Sequence, residues 1–141
     1  MIECVPNVSE GRDGGVIRAL GDAIESAGVQ LTDVHSDVDH HRSVFTYLGL
    51  TEAVEQATLA LAVTAVRLID LTKHRGVHPR TGAIDVVPFV PLAGAAMVDA
   101  VAAAYRVGRA FAEKTGVPVY FYGEAATSEH RRELPAVRRG G

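Results

Sequence analysis

Cysteine occurs once in the 141 residues, at position 4, so an internal disulfide is excluded and a reducing compartment fits. Cys4 reads as a small buried hydrophobe on the first strand. The opening residues, Met1-Ile2-Glu3-Cys4, carry neither a basic segment nor an apolar one, and no signal peptide is read. Long hydrophobic runs are missing too. Residues 86–90 are far too few to span a bilayer, and Asp99 interrupts the alanine-rich stretch 93–104. A soluble, cytoplasmic protein is expected, with no membrane partner. Charge is nearly balanced, 14 Lys and Arg against 17 Asp and Glu for a net −3, which implies no basic face for nucleic acid. No Walker or dinucleotide fingerprint occurs; Gly14-Gly15 precede a helix, but Asp13 beside them would repel an anion. Repeats, low-complexity tracts and linkers are also absent. What remains is an ordinary globular composition, 48% hydrophobic and 22% charged. Its length predicts one domain, residues 1–141, burying about two-thirds of the unfolded surface.

Along the chain, residues 2–5 predict a strand ended by Pro6-Asn7. Asp13 caps a helix through residue 27 with Ile17, Leu20, Ile24 and Ala27 on one face, and Gly28 stops it. Residues 29–35 return as a strand, and Ser36-Asp37-Val38-Asp39 is too polar to continue it. Residues 43–49 complete an antiparallel hairpin. Thr51 caps the next helix, whose buried stripe is Val54, Ala57, Leu61, Ala65 and Leu68, ending near residue 71. A strand over 83–90 holds Pro88, with Pro91 just beyond, both placing it at an edge or bulge. A third helix fits 95–114, with Met97, Val101, Ala104, Gly108 and Phe111 inward. Gly116 ends it, a strand spans 117–122 and a short helix 128–138. The order β-α-β-β-α-β followed by α-β-α predicts an α+β fold. Its core is the split βαβ, ferredoxin-like arrangement, a mixed sheet with helices on one face. The other face is left open. Phe45, Tyr47 or Phe89 on it would be poorly placed in water, so a homodimer through that face is expected.

Between the second helix and the 83–90 strand lies Lys73-His74-Arg75-Gly76-Val77-His78-Pro79-Arg80-Thr81-Gly82. Five of these ten residues are Lys, Arg or His. Gly76 can stop a helix, Pro79 forces His78 out of the helical region, and Gly82 releases the chain into the strand. The C-terminal dipole of the preceding helix accounts for Lys73 and His74, but not for a second His and Arg around a proline. An imidazole titrates near neutrality, so His78 can take and return a proton. Arg75 and Arg80 can keep it neutral and clamp carboxylates in bidentate fashion.

A second cluster, Asp37, Asp39, His40, His41 and Arg42, falls at the hairpin turn. With His35, His74 and His78 it can be read as a metal site. No tight ligand pair such as HExxH supports that, and Gly76 and Pro79 keep His74 and His78 off one helical face. No metal is expected. Arg42 is equally explained by an ion pair with Asp37 or Asp39, and Glu10 and Arg12 by charges at a helix start.

The segment from Ile69 through Lys73-His74-Arg75-Gly76-Val77-His78-Pro79-Arg80-Thr81-Gly82 to Pro91 resembles the signature of the formiminotransferase N-terminal subdomain. Glu3-Cys4-Val5-Pro6-Asn7-Val8-Ser9-Glu10-Gly11-Arg12 and Pro118-Val119-Tyr120-Phe121-Tyr122-Gly123-Glu124-Ala125-Ala126 agree with it. The resemblance thus spans nearly the whole chain and stops where the family's second subdomain would begin. It implies transfer of a formimino group from formiminoglutamate to tetrahydrofolate, the co-substrate, in histidine degradation. His78, in Gly76-Val77-His78-Pro79-Arg80, would be the general acid and base. Candidate substrate-binding residues are Arg75, Arg80, His35, Asp39, Arg42 and Glu10. Two positions depart from many members, which have Asp where His35 stands and Asn where His41 stands. In such enzymes the open sheet face packs on the second subdomain, with folate in the tunnel between. A homodimer or a separate second-subdomain chain would substitute for it here. The rival class is a folate-binding or assembly module that keeps the fold without turnover.

Overall fold

The computed structural model describes residues 1–69, 83–92, 94–117 and 119. In chain order these form β1 (Ile2–Cys4), β2 (Asn7–Val8), α1 (Gly14–Glu25), β3 (Gln30–Asp37) and β4 (Arg42–Gly49). They continue with α2 (Thr51–Leu68), β5 (Ile84–Val86), β6 (Phe89–Pro91) and α3 (Met97–Thr115). The alternation of helices with antiparallel strands makes this an α+β fold.

β1 and β2 form one line interrupted at Val5-Pro6, and β5 and β6 form another interrupted at Val87-Pro88. The interruptions face each other, because the Val5 N–H donates to the Pro88 carbonyl at 3.2 Å. Across the sheet the order is β3, β4, then β1 with β2, then β6 with β5; every described pairing is antiparallel. Pro88 thus lies in the outermost described line, as a residue without an amide donor should. Asn7, read from sequence as a strand end, instead begins β2 opposite Val44.

α2 packs against both α1 and α3, and the three helices meet β3, β1, β4 and β6 on one face. Alternate residues of β4 decide what that face buries. Ser43, Phe45 and Tyr47 are fully buried, whereas Arg42, Val44, Thr46 and Leu48 are only partly so. Phe45 and Tyr47 are therefore not on the open face, contrary to the sequence expectation. Phe89 also packs against the core cluster, beside Cys4 and across from Tyr47's strand. Both sets of β4 residues hold apolar side chains, so alternation alone could not choose between them. Each fully buried aromatic contributes about 1.5–3 kcal/mol relative to exposure.

The helix starts follow local chemistry. Asp13 is the N-cap of α1, its Oδ1 accepting from the Gly15 and Val16 N–H groups at 2.9 and 3.2 Å. A carboxylate thus already occupies the end where an anion would bind. Leu50, not Thr51, holds the cap position of α2, and Leu68 is 39% exposed instead of closing the buried stripe. The inward set of α3 is Ala100, Ala103, Val107 and Gly108, one step out of phase with most of the expected positions, and Met97 is 50% exposed. Alanines around α3 give little contrast from which to read a phase. Gly116 ends α3 with φ +75°. The strand expected over 117–122 lies mostly outside the described residues, and the helix over 128–138 wholly so.

β3 runs on to Asp37, through residues that sequence assigns to a turn. Its polar end finds polar partners, Ser36 opposite Ser43 with the hydroxyls 2.8 Å apart, and Asp37 opposite Arg42. At Thr32 the register slips, so Leu31 faces Tyr47 and Asp33 faces Thr46. This bulge puts Leu31 and Val34, three positions apart, opposite the core-facing Tyr47 and Phe45.

Candidate functional site

The open face is built from Glu3, Val5 and Asn7 on one line, Arg42, Val44, Thr46 and Leu48 beside it, and Asp33, His35 and Asp37 at the edge. His35 and Asn7 flank Val44 on its two sides, about 10 Å apart by strand spacing. Strands disfavour Asn, so its place in β2 marks a polar position on this face. His35 is exposed on this face, and Arg42 stands half-buried directly across from Asp37.

Loop 9–13 closes one end of that face against the β3–β4 turn. A side chain at Gly11 would collide with the backbone N of Arg42 and the carbonyl of Asp37. Only glycine lets the two segments approach this closely. The Gly11 N–H donates to His41 Nδ1 at 3.0 Å, and Arg12 Nε donates to the Val38 carbonyl at 2.9 Å. From below, the Ser43 hydroxyl donates to the Glu10 carbonyl at 2.5 Å.

Glu10, a candidate substrate ligand by resemblance, is only 7% exposed. Its Oε2 accepts from the Arg12 and Asp13 N–H groups, each at 3.0 Å, so it organises the approach to α1. His41 is 6% exposed, has φ +53°, and lies 3.4 Å from that same oxygen. Nothing in the polar run around His41 marks it as buried. Asp39 is exposed on the turn, and its N–H, with that of His40, donates to Asp37 Oδ1 at 3.0 and 3.1 Å. The His40 backbone N–H, and then its imidazole 2.6 Å from Oδ2, hold the Asp37 carboxyl below its ordinary range.

His78, Arg75 and Arg80 lie outside the described residues, as does His74. Ala83, one residue past Gly82, is described: its carbonyl accepts from the Ser9 N–H at 2.8 Å. The chain therefore emerges from residues 70–82 beside Ser9 and Glu10. Structure brings together Glu10, Arg42, Asp39 and the turn, and sets His35 further along the same face. Among the described residues no group of three or more His, Cys, Asp or Glu is arranged to hold a metal ion. Nor is any described helix long and apolar enough to cross a membrane.

A family model for the formiminotransferase domain, N-terminal subdomain, matches residues 1–141. The chain belongs to that family. It is 48% identical over 141 residues to formimidoyltransferase-cyclodeaminase of Gallus gallus, covering 99% of this chain and 26% of that protein. To glutamate formimidoyltransferase of Thermoplasma acidophilum it is 43% identical over 139 residues, covering 98% and 46%. To that of Streptococcus pyogenes serotype M1 it is 40% identical over 141 residues, covering 99% and 47%. This formiminotransferase subdomain thus spans between about a quarter and about a half of the length of these curated relatives. His35 lies exposed on the open face and His41 is buried at the β3–β4 turn, two distinct environments.

Proposed function

We propose that the chain supplies the acid–base half of a glutamate formimidoyltransferase, moving a formimino group from formiminoglutamate to tetrahydrofolate. The observation that carries this reading is the family match over the full 141 residues, with relatives bearing that name. A nitrogen of the reduced folate attacks the amidine carbon, a tetrahedral intermediate forms, and the glutamate nitrogen departs. One proton leaves the attacking nitrogen and one joins the leaving nitrogen. His78 is the group assigned to both transfers, as base and then acid. Arg75 and Arg80 would take carboxylates of the donor or of the folate tail. His35 and Arg42 would line the substrate side on the open sheet face, where the antiparallel rows hold them at fixed spacing, and Asp39 would reach it from the β3–β4 turn. Glu10 contributes by shaping the loop beside them.

The experiment is formimino transfer by the protein with a second subdomain supplied, comparing wild type with His78→Ala. Turnover should fall about a hundredfold to ten-thousandfold, the usual size of general acid–base catalysis, with the fold intact by circular dichroism. Full activity in the folded variant would remove His78 from the mechanism. Absence of transfer in the wild type would favour a binding module.

A further inference from the structure

His41 is a buried titratable group that the proposed chemistry does not use. Its position is tightly determined. The residue occupies the left-handed region with φ +53°, which places the ring back over loop 9–13. There Nδ1 accepts the Gly11 N–H at 3.0 Å. A nitrogen that accepts carries no proton, so the neutral ring must hold its hydrogen on Nε2. The same Nδ1 is 3.4 Å from Glu10 Oε2, an oxygen already taking two backbone N–H donors.

We propose that His41 is a positioning residue: its neutral ring latches the β3–β4 turn to loop 9–13, and a proton on Nδ1 releases the latch towards Glu10. Once Nδ1 carries hydrogen it cannot accept, and Gly11 N–H loses its partner in a buried place. The new N–H then has the Glu10 Oε2 carboxylate oxygen 3.4 Å away as an anionic acceptor. That oxygen must be shared with the Arg12 and Asp13 amides, so the start of loop 9–13 shifts. Among the described residues, the nearby charged groups make the following contacts. Arg12 Nε is on the Val38 carbonyl, Asp13 on the amides of α1, and Asp37 on His40. Asp39 is exposed on the turn, and Arg42 lies across from Asp37. Because Gly11 touches the Arg42 and Asp37 backbone, movement there reaches the strand ends that carry Arg42 and lead to His35. This assigns to the site a proton-dependent geometry; only its consequence for catalysis rests on the proposed transfer.

The test is nuclear magnetic resonance of the labelled chain between pH 5 and 8, with no substrate. At the high end His41 should show the Nε2–H tautomer. As the ring titrates, the Gly11 and Arg42 amide resonances should move with the same midpoint. Protection of the Gly11 amide from exchange, corrected for pH, should fall about tenfold or more. His41→Asn keeps a side-chain acceptor and tolerates the left-handed backbone, but cannot take the proton. It should hold Gly11 in its high-pH state throughout. His41→Gly permits the backbone without an acceptor and should show the released state at every pH. A Gly11 amide indifferent to the His41 titration would overturn the latch. So would an Asn variant that titrates like the wild type, since that assigns the effect to His40 or Asp37. None of these readouts needs transferase activity, so failure of the proposed function leaves them standing.

Discussion

Gly11 and Gly14 are three residues apart and sit in opposite situations. A methyl group at Gly11 meets backbone atoms of Arg42 and Asp37, which cannot swing aside, while one at Gly14 meets nothing within 4 Å. Gly11→Ala should destabilise the protein by about 2–4 kcal/mol, because either the loop or the turn must move. Gly14→Ala, in the first turn of α1, should be neutral or stabilising by up to about 1 kcal/mol. Urea midpoints of the two variants check the pair; equal effects would show that the close approach does not form. Nothing local in the sequence separates these glycines, since the clash involves residues some thirty positions away. By contrast, Asp13 was legible as a cap, because its partners are its own neighbours.

Cys4 makes a second residue-scale case. Burial pushes its thiol up to about 12, with hydrogen bonding from Thr58 only partly offsetting it. The one Thr58 hydroxyl lies 2.7 Å from the Val54 carbonyl, 3.6 Å from the Cys4 thiol and 2.6 Å from the Tyr47 hydroxyl, so its single proton serves alternative acceptors. An unfolded cysteine ionises near 8.5, so the folded value is raised. The resulting stability is complete below about pH 8.5 and is lost progressively as pH rises towards 12. A thiol reagent at pH 8 should label the native protein at less than about a hundredth of the rate seen in denaturant. Fast native labelling would mean that β1 is not covered by α2.

Among the elements, β4 carries the most consequence. Its odd-numbered residues enter the core and its even-numbered ones form the open face, and a shift of one would exchange them. The strand was plain in the sequence, but its phase was not, because Val44 and Leu48 are as apolar as Phe45. Phe45→Glu should therefore abolish cooperative folding: the lost packing alone costs about 3–5 kcal/mol, before the carboxylate is desolvated. Leu48→Lys places a cation opposite Glu3 and should change stability by less than about 1 kcal/mol. Chemical denaturation of both variants distinguishes the faces. The bulge at Thr32 and the onward run of β3 to Asp37 were equally hidden, since both depend on what β4 offers across the ladder. The resemblance offers His35, Asp39, Arg42 and Glu10 as candidates, yet the difference between exposed His35 and buried Glu10 is not legible in the sequence. That distinction comes from loop 9–13 folding under the turn.

At the scale of the whole molecule, helices cover one sheet face and the other alternates Val5, Val44, Leu48 and Val90 with Asn7, Thr46, Glu3 and His35. Such a surface is apolar enough to associate and polar enough to hold a substrate with carboxylates. We expect a second sheet to cover it, either another copy of the chain or a second subdomain. Sedimentation of the chain alone at micromolar concentration should give a dimer mass, and Leu48→Lys should reduce it to the monomer without unfolding. A wild-type chain that sediments as a monomer would mean that copies of itself do not satisfy this face.

The slip at Thr32 has a consequence beyond its own strand. Among the described residues β3 pairs only with β4, and its outer edge has no described strand partner along its eight residues. A regular edge of that length can template another strand, copy after copy, into a growing fibre. Here the ladder is out of step part-way, and Asp33, His35 and Asp37 stand along it, so two such edges cannot zip together over their full length. Edge-to-edge growth along β3 is thereby disfavoured.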